Sequence, residues 1–290
     1  MRRGTGFAAA LVMGVAALAG CERGKELPKE VVSPGEQATP PEPPTPTASQ
    51  PEAAKVVERA IKAATEGHPE RIGKLKTSRA AMKGVVIINT VPVNWNRRIE
   101  AIWPDRFFQS DEFNQNGPVQ VMIGDRNHSM WVRNRRGSRT EPWEPPDPVK
   151  FEEANAADMV GRYWMPLLVP LTDPRTIVFD ARKQTIHLPT GAMHFDVIKA
   201  AVPNRPVYTL WFEEQTGFLA RVNFNHLEPL TSVPKAKTFN LLMHRPFPGG
   251  VVLPGKIGYE EGGIVREEWR VDSWEAVPNI DDATFEPPAK

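Results

Sequence analysis

The chain contains a single cysteine, Cys21, which ends the stretch Leu18-Ala19-Gly20-Cys21. One thiol cannot form a disulfide within the chain, and it cannot build a thiolate metal cluster. Cys21 also ends the only long apolar run near the N-terminus. This position, more than any other feature of the sequence, bears on where the protein is located.

The segment before Cys21 has the organisation of a secretory signal. Met1-Arg2-Arg3 is positively charged, and Phe7–Ala19 is a run of thirteen residues without a charge. Because a spanning helix needs about 20 apolar residues, this run is too short to cross a membrane. It fits the apolar core of a signal peptide followed by small residues at a cleavage site. We therefore predict a signal peptide over residues 1–20.

The stretch around Cys21 resembles the bacterial lipobox: an aliphatic residue, two small residues and a cysteine. The resemblance implies cleavage after Gly20, a diacylglycerol on the Cys21 thiol and acylation of the new amine. Each buried CH₂ contributes about 0.8 kcal/mol, so two or three acyl chains give effectively permanent attachment. The alternatives are an ordinary signal peptide with an incidental cysteine and a twin-arginine signal, from which Phe7 lies too far downstream.

The residue after the cysteine bears on which membrane holds the anchor. By resemblance to enterobacterial sorting, an aspartate at this position favours retention in the inner membrane, and this chain has Glu22. We therefore expect a protein anchored to the outer membrane and facing the periplasm. Membrane lipid, bound through the acylated Cys21, is the first expected partner.

The sequence offers little that predicts catalysis. It contains neither a Gly-x-Ser-x-Gly elbow nor a glycine-rich phosphate loop. His194 and Asp196 share a face of a predicted strand, but such pairs are usually a solvated surface feature. No two of the histidines have the i, i+4 spacing of a helical metal site, so we expect no catalytic residues, no metal and no cofactor. The six histidines are His68, His128, His187, His194, His226 and His244.

The charge balance argues against nucleic acid as a partner. The whole chain has 36 Lys and Arg against 35 Asp and Glu, a net charge of +1. Loss of residues 1–20 removes two arginines and brings the net charge to about −1, without the basic excess typical of nucleic-acid binding. One local basic cluster is typical of a solvated loop or of contact with anionic lipid headgroups: Arg133, Arg135, Arg136 and Arg139.

A composition change follows the cysteine. Glu22–Glu52 contains eight prolines and no aromatic residue, so it cannot bury enough apolar surface to offset its ordering entropy. Prolines favour extended polyproline II, at roughly 3 Å per residue. We predict a disordered tether over residues 21–50, although a disordered tail without a spacing role has the same composition. The folded domain is predicted over residues 51–288.

Hydrophobic periodicity predicts a mainly β domain. Ser49–Glu52 has the form of a capping box, and apolar residues at helical spacing follow it. From Met82 onward the period changes to two, and short strands joined by turn residues indicate one large antiparallel sheet. Val119–Ile123 and His128–Arg133 are predicted to pair as a hairpin. A helix is predicted over Phe151–Leu168, either packed on the sheet or acting as a mobile lid over an apolar cavity.

Three stretches resemble proteins with the LolA/LolB-like fold, as found in outer-membrane lipoprotein-sorting proteins. They are Glu66–Leu75, Tyr208–Leu219 and the closing segment from Leu253–Ile257 through Trp269 to Ile280–Pro287. The resemblance implies an incomplete, half-open antiparallel barrel whose concave apolar face is covered by an N-terminal helix and a helical insertion. It also implies binding of acyl chains of lipoproteins or of other hydrophobic ligands. The chain departs from this group in a Pro-rich insertion at Arg139–Pro148.

An incomplete barrel leaves inner apolar side chains that need a cover or a ligand. Tryptophan suits such a position because it prefers surroundings that are apolar at one end and polar at the other. Each of these residues singly is also typical of ordinary core packing. The predicted cavity residues are Trp95, Trp103, Trp131, Trp164, Leu167, Leu168, Trp211 and Leu241.

Two functions follow from these expectations. The first is a membrane-anchored envelope lipoprotein that binds the acyl chain of a lipid or lipoprotein, in sorting or acceptance. The second is a structural or sensory envelope protein that uses the same fold to bind a protein partner. A sheltered apolar cavity favours the first function, and a filled core favours the second.

Overall fold

The computed structural model describes residues 45–286, except residues 89, 114–118, 126–127, 135–140, 144–146, 189–190 and 228–232. The predicted signal peptide, Cys21, the tether up to residue 44 and residues 287–288 lie outside the described residues. Within them, none of the helices combines the length and the apolar composition that a membrane crossing requires.

Helical segments are α1 (Pro51–Ala64), α2 (Glu70–Lys74), α3 (Pro148–Met159), a π-helical turn (Val160–Trp164) and two 3-10 turns (Val169–Thr172 and Asp282–Phe285). The strands are β1 (Thr77–Ile88), β2 (Val91–Ile102), β3 (Arg106–Phe113), β4 (Val119–Asp125), β5 (His128–Asn134), β6 (Glu141–Trp143), β7 (Ile177–Leu188), β8 (Gly191–Ala201), β9 (Val207–Glu213), β10 (Leu219–Leu227), β11 (Pro234–Leu242), β12 (Arg245–Phe247), β13 (Val251–Leu253), β14 (Lys256–Glu261) and β15 (Ile264–Ala276).

Thirteen strands form one sheet in the order β6-β5-β4-β3-β2-β1-β15-β14-β11-β10-β9-β8-β7, and β12 and β13 form a small separate pair. The neighbouring strands pair antiparallel, including the predicted hairpin of β4 and β5. In the described part of the chain β6 and β7 stand at opposite edges, so the sheet is open. The predicted fold class, one large antiparallel sheet that does not close into a barrel, is confirmed.

Helix α1 is tied to the edge of the sheet at its start. Its N-cap is Gln50, which makes no side-chain cap, so the predicted capping box is wrong. The Ser49 hydroxyl instead accepts a hydrogen bond from the Val178 N–H at 3.1 Å, and the Gln50 Oε1 accepts from the Asp180 N–H at 2.9 Å. The Gln50 N–H donates to the Val178 carbonyl at 2.9 Å. These polar groups bind β7 and are therefore not free to cap the helix.

Helix α1 and the helical segments between Pro148 and Thr172 lie on one face of the sheet, which we call the covered face, whereas the 3-10 turn Asp282–Phe285 packs against Ile102 and Phe108. In β9, Tyr208, Leu210 and Phe212 are fully buried, whereas the intervening residues are partly exposed. This alternation is expected of a strand with one face packed against a core. Arg59 of α1 pairs with Asp196, which lies opposite Phe212 in the register. Helix α1 therefore lies on the same face as the buried side chains.

The cover of the middle of the sheet runs from Pro148 to Thr172. The Asp147 side chain caps α3 by accepting from the Lys150 N–H at 3.1 Å. After α3 the backbone widens to a π turn, where the Met165 N–H donates to the Val160 carbonyl at 2.8 Å. The prediction of a helical cover over Phe151–Leu168 is thus confirmed. The cover is not one regular helix, because the α-helix ends at Met159 and a π turn follows. Pro166 has no N–H and cannot continue an α-helix.

Large aromatic side chains fill the space between the cover and the sheet. Trp164, Trp269, Trp274 and Tyr163 are all less than 2% exposed. Two of these side chains also make hydrogen bonds within the core: the Tyr163 and Ser78 hydroxyls lie 3.0 Å apart, and the Trp274 Nε1–H donates to the Pro254 carbonyl at 3.1 Å. Buried aromatic residues with satisfied polar atoms are strong core elements.

Candidate functional site

A continuous row of aromatic rings crosses four neighbouring strands on the covered face. Tyr208 of β9 and Phe224 of β10 have ring centroids 4.9 Å apart, and Phe224 and Phe239 of β11 have centroids 6.2 Å apart. Phe239 stacks on Tyr259 of β14 at 5.1 Å. We call these four residues the aromatic strip. Helix α3 contacts this strip at Tyr208, and the π turn contacts it at Phe224, Phe239 and Tyr259.

Helix α3 covers this region with small side chains. Its buried residues include Ala154, Asn155 and Ala157, and only Met159 at its end is a large buried apolar residue. The Tyr208 hydroxyl donates to the Ala157 carbonyl at 2.9 Å. Because small side chains bury little apolar area, α3 gains less stabilisation per residue than the π turn that follows it.

Two ion pairs of opposite polarity join the cover to the sheet. Both carboxylate oxygens of Asp158 accept from the Lys237 Nζ at 2.7 Å. Arg162 of the π turn lies 3.6 Å from Glu267 of β15, and its guanidinium is 5.6 Å from the ring centroid of Tyr259. The cover therefore meets the aromatic strip through cationic and anionic groups as well as through apolar contacts.

A buried charge network borders the aromatic strip. Arg97 of β2 makes a bidentate pair with Asp111 at 2.7 and 2.8 Å and donates to Glu267 at 3.0 Å. The Trp269 Nε1–H also donates to Glu267, at 2.7 Å. Burial alone would lower the pKa of Arg97, but the two carboxylates outweigh burial and raise it above its ordinary value. Arg97 therefore stays charged in an otherwise apolar interior.

The space between these groups is small. A cavity of about 10 Å³ lies where the charge network meets the aromatic strip. This volume holds about one water molecule and not an acyl chain, so the described interior around it is filled in this conformation. The lining residues are Met82, Arg97, Ile99, Arg162, Phe239, Ile257, Tyr259, Glu267 and Trp269.

Six of the eight predicted cavity residues belong to the main core or pack against it. Trp103 meets Trp164 edge to face with centroids 5.6 Å apart, and its Nε1–H donates to Asp173 at 3.2 Å. Four of the six are buried members of the core, whereas Trp95 and Trp103 are partly buried and pack against it. The six residues are Trp95, Trp103, Trp164, Leu167, Leu168 and Leu241.

The other two predicted residues lie elsewhere. Trp211 is on the opposite face of the sheet, because its neighbours Leu210 and Phe212 both point into the core. Its ring meets Phe195 edge to face at a centroid distance of 5.7 Å. Trp131 lies in β5, opposite Met122 of β4, and its side chain is outside the described part of the structure.

The sequence-level reasoning missed the charge network and the ion pairs of the cover. One signal was present: Glu267 alternates with Val265 and Trp269 in a strand where Trp269, Val271 and Trp274 are buried. A carboxylate in that position needs a buried cationic partner. The identity of the partner was not readable, because Arg97 lies 170 residues away along the chain.

The histidine and carboxylate pair of β8 makes separate contacts. The His194 Nδ1 lies 3.0 Å from the Thr185 hydroxyl, whereas Asp196 pairs with Lys183 at 2.7 Å and with Arg59. Over the residues that the structure describes, no three His, Cys, Asp or Glu side chains are grouped as metal ligands would be.

The sheet has counterparts among solved structures. A DUF1329 family protein from Desulfovibrio piger has a TM-score of 0.46 and 9% identity, covering 81% of this chain and 97% of its own. A LolA superfamily protein from Nitrosomonas europaea has a TM-score of 0.46 and 10% identity, with the same two coverages. An outer membrane lipoprotein-sorting protein domain from Vibrio parahaemolyticus has a TM-score of 0.42 and 9% identity, covering 79% and 97%.

These similarities concern the fold alone, and the solved structures that the chain is similar to include proteins of the predicted LolA-like group. No protein-family model and no curated protein matches the sequence.

Proposed function

We propose that the protein is an exported lipoprotein, anchored through an acylated Cys21, that binds the acyl chain of a lipid or lipoprotein on its covered face when α3 moves away. The observation that carries this proposal is the contact between α3 and the aromatic strip. The Tyr208 end of this strip lies beneath α3, which buries mainly alanine and asparagine, whereas Phe224, Phe239 and Tyr259 lie against Gly161 and Arg162 of the π turn.

The physical basis is a difference in how firmly the two parts of the cover are held. The π turn buries Tyr163 and Trp164 completely, whereas α3 buries mainly small side chains, and its contacts with the sheet include the Asp158–Lys237 pair and the hydrogen bond from Tyr208. A segment with few large buried side chains opens at lower free energy than its surroundings. An acyl chain gains about 0.8 kcal/mol per buried CH₂, before ordering costs, when it takes the place of such a segment.

The cover has a fixed end directly after the π turn. Leu168 adopts a left-handed conformation with φ 58°, and Leu167 and Leu168 are buried directly after the π turn. Motion of α3 about the π turn would expose the Tyr208 end of the strip without disturbing this buried end. The interior around the small cavity is filled, so an acyl chain binds there in this proposal only after the motion.

The test combines native mass spectrometry with two variants that loosen α3. The mature, full-length protein is purified in mild detergent and examined for co-purified lipid. Uptake of a fluorescent fatty acid is then compared for Tyr208→Phe, Asp158→Asn and the exposed control Glu214→Gln. Tyr208→Phe removes one hydrogen bond, worth about 1 kcal/mol, and should raise the uptake about fivefold, with a similar or larger gain for Asp158→Asn and none for the control.

The alternative function is a protein-binding role without a carried ligand. The filled interior, with its cavity of about 10 Å³, is the observation that favours it. If no lipid co-purifies and neither loosened variant takes up the probe, the carrier proposal is wrong. The protein is then better described as a tethered interaction module.

A further inference from the structure

Two neighbouring hairpins expose aliphatic side chains at one end of the sheet. Ile88 is 43% and Val91 59% exposed at the tip of the β1–β2 hairpin, and Ile264 is 57% and Val265 40% exposed at the tip of the β14–β15 hairpin. Single exposed apolar residues are common on soluble proteins, but grouped ones mark an interaction surface.

The register places these four residues side by side. Ile88 pairs with Val91, and Ile264 pairs with Glu261. The pairing of β1 with β15 runs to Val86 opposite Glu267, and Ile88 and Val265 each lie two residues beyond this last pair on neighbouring strands. The two hairpin tips therefore form one surface, which we call the apolar rim: Ile88, Val91, Ile264 and Val265.

The chain from the proposed anchor joins the domain at the same end of the sheet. Val178, which binds Ser49 and Gln50, lies opposite Ala200, and Ala200 lies opposite Tyr208. The row continues across the sheet, from Phe224 opposite Lys237 to Lys237 opposite Glu261. Six strand spacings of about 4.8 Å separate β7 from β15 along this row, or about 29 Å.

The segment between Cys21 and Ser49 is long enough for the rim to meet the membrane. Its 28 residues span about 30 Å as a flexible coil and about 87 Å as extended polyproline II. Because this segment ends at the rim end of the sheet, the rim is held nearer to the anchoring membrane than the β9–β10 and β11–β12 turns at the other end.

The geometry points to a bilayer contact: the apolar rim rests in the interface of the membrane that holds Cys21, so that this end of the sheet faces the lipid. The rim consists of aliphatic side chains only, whereas the centres of protein–protein interfaces are enriched in Trp, Tyr and Arg. Aliphatic side chains at the boundary of headgroups and acyl chains gain the ordinary energy of apolar burial. This inference rests on the proposed anchoring and does not depend on the carrier function.

The test uses the absence of any other thiol. In the acylated protein the sulfur of Cys21, the only cysteine, is blocked, so Ile264→Cys provides one site for a nitrobenzoxadiazole label. The full mature protein is reconstituted into phosphatidylethanolamine–phosphatidylglycerol vesicles with spin-labelled acyl chains. Met243→Cys is the matched control, because Met243 is an apolar residue, 74% exposed, at the opposite end of β11.

The label at residue 264 should shift to shorter emission wavelength and lose about half of its intensity to the spin labels, as expected for a depth of about 5–10 Å. The label at residue 243 should keep its aqueous spectrum, and Val91→Asp should reduce the quenching at residue 264. An acylated protein whose two labels behave alike overturns the inference while the carrier proposal stands. A protein whose intact mass shows no acyl group overturns the anchoring, and the inference with it.

Discussion

Glu267 and Glu268 are neighbours in β15 with opposite surroundings. Burial alone would raise the pKa of Glu267, but the guanidinium groups of Arg162 and Arg97 outweigh burial and hold it at about 2. The Glu268 side chain is 55% exposed and pairs with Lys256 at 3.0 Å. Substitution of each residue in turn therefore allows a buried ion pair to be compared with a surface ion pair in the same strand.

We predict that Glu267→Gln lowers the free energy of unfolding by about 3 kcal/mol, because it removes the carboxylate that pairs with Arg162 and one of the two carboxylates that pair with the buried Arg97. Glu268→Gln should change it by less than about 0.5 kcal/mol. Urea denaturation of the two variants measures both values. Equal losses would contradict the assignment of Glu267 to a buried network.

A buried histidine gives the protein a pH dependence. His244 stacks on Phe218 with centroids 4.8 Å apart, and burial lowers its pKa from 6.5 to about 4, against the smaller effects of Leu219 and Glu213. His244 is therefore protonated below about pH 6.5 in the unfolded chain but only below about pH 4 in the folded chain. Stability contributed by the neutral ring is present above pH 6.5 and is lost as the pH falls through this window.

We expect the loss from His244 between pH 6.5 and 4 to be on the order of 2–3 kcal/mol. His244→Phe keeps the stacked ring without the titration. The unfolding free energy of the natural protein, measured by urea denaturation across the window, should therefore fall by that amount relative to the variant on acidification. A difference that does not change with pH would show that His244 titrates alike in both states.

Residue-scale features were only partly predictable. The alternation of Val265, Glu267 and Trp269 is visible in the sequence, and it shows that a charge lies on an apolar face. The partner was not predictable, because it depends on which strands lie beside β1. Arg97 and Glu267 are on the two strands that flank β1. No local sequence pattern predicts which two strands lie on either side of β1.

At the scale of elements, the π turn depends on the absence of one side chain. A Cβ on Gly161 would lie 2.7 Å from Phe224 and 2.9 Å from Phe239. Because these rings are packed in the aromatic strip, moving them away would disrupt their packing and destabilise the core. Gly73 in α2 offers the contrast, because a Cβ there would meet nothing within 4 Å.

We predict that Gly161→Ala destabilises the protein by about 1–3 kcal/mol through overpacking, despite the better helix propensity of alanine. Gly73→Ala should be neutral or stabilising by up to about 1 kcal/mol, because a helical glycine is replaced without a clash. Thermal unfolding of the two variants checks the signs, and a stabilising Gly161→Ala would mean that the cover does not approach the strip this closely.

The attachment of Ser49 and Gln50 to β7 gives a second prediction at this scale. Removal of residues 1–44 should leave the melting temperature of the domain unchanged. Removal of residues 1–50 deletes three hydrogen bonds to Val178 and Asp180, worth about 2 kcal/mol together, and should lower it by about 4–8 °C. Calorimetry of both truncated chains decides whether the domain begins before residue 51.

The elements that the sequence predicted best are those specified by local patterns. Alternation and turn residues correctly placed the β4–β5 hairpin, and a proline before an apolar stripe correctly placed α1. The predicted capping box failed because a strand 130 residues away offers the Ser49 and Gln50 side chains competing partners. The break in the cover was missed because it follows from contact with Phe224 and Phe239, not from helix propensity.

At the scale of the whole molecule, anchoring is expected to depend on one atom, the sulfur of Cys21. Cys21→Ser should prevent acylation and leave the precursor uncleaved after Gly20, while the folded domain keeps its melting temperature. Intact-mass analysis of membrane and soluble fractions measures both properties of the chain. A mature N-terminus elsewhere, without added acyl mass, would show that the lipobox resemblance misled the prediction.

The strand order also determines when the sheet can be completed. The strands β1 to β6 form one meander and the strands from β7 onward form another, and the two are joined where β1 pairs with β15. Ser78 pairs with Ala276, so this seam closes only after almost the entire chain has been made. Until then β1 presents an open edge, and such edges are prone to pair with other chains. A chaperone that binds β1 during synthesis would therefore protect a strand that is an edge in the incomplete sheet and becomes an interior strand in the complete one.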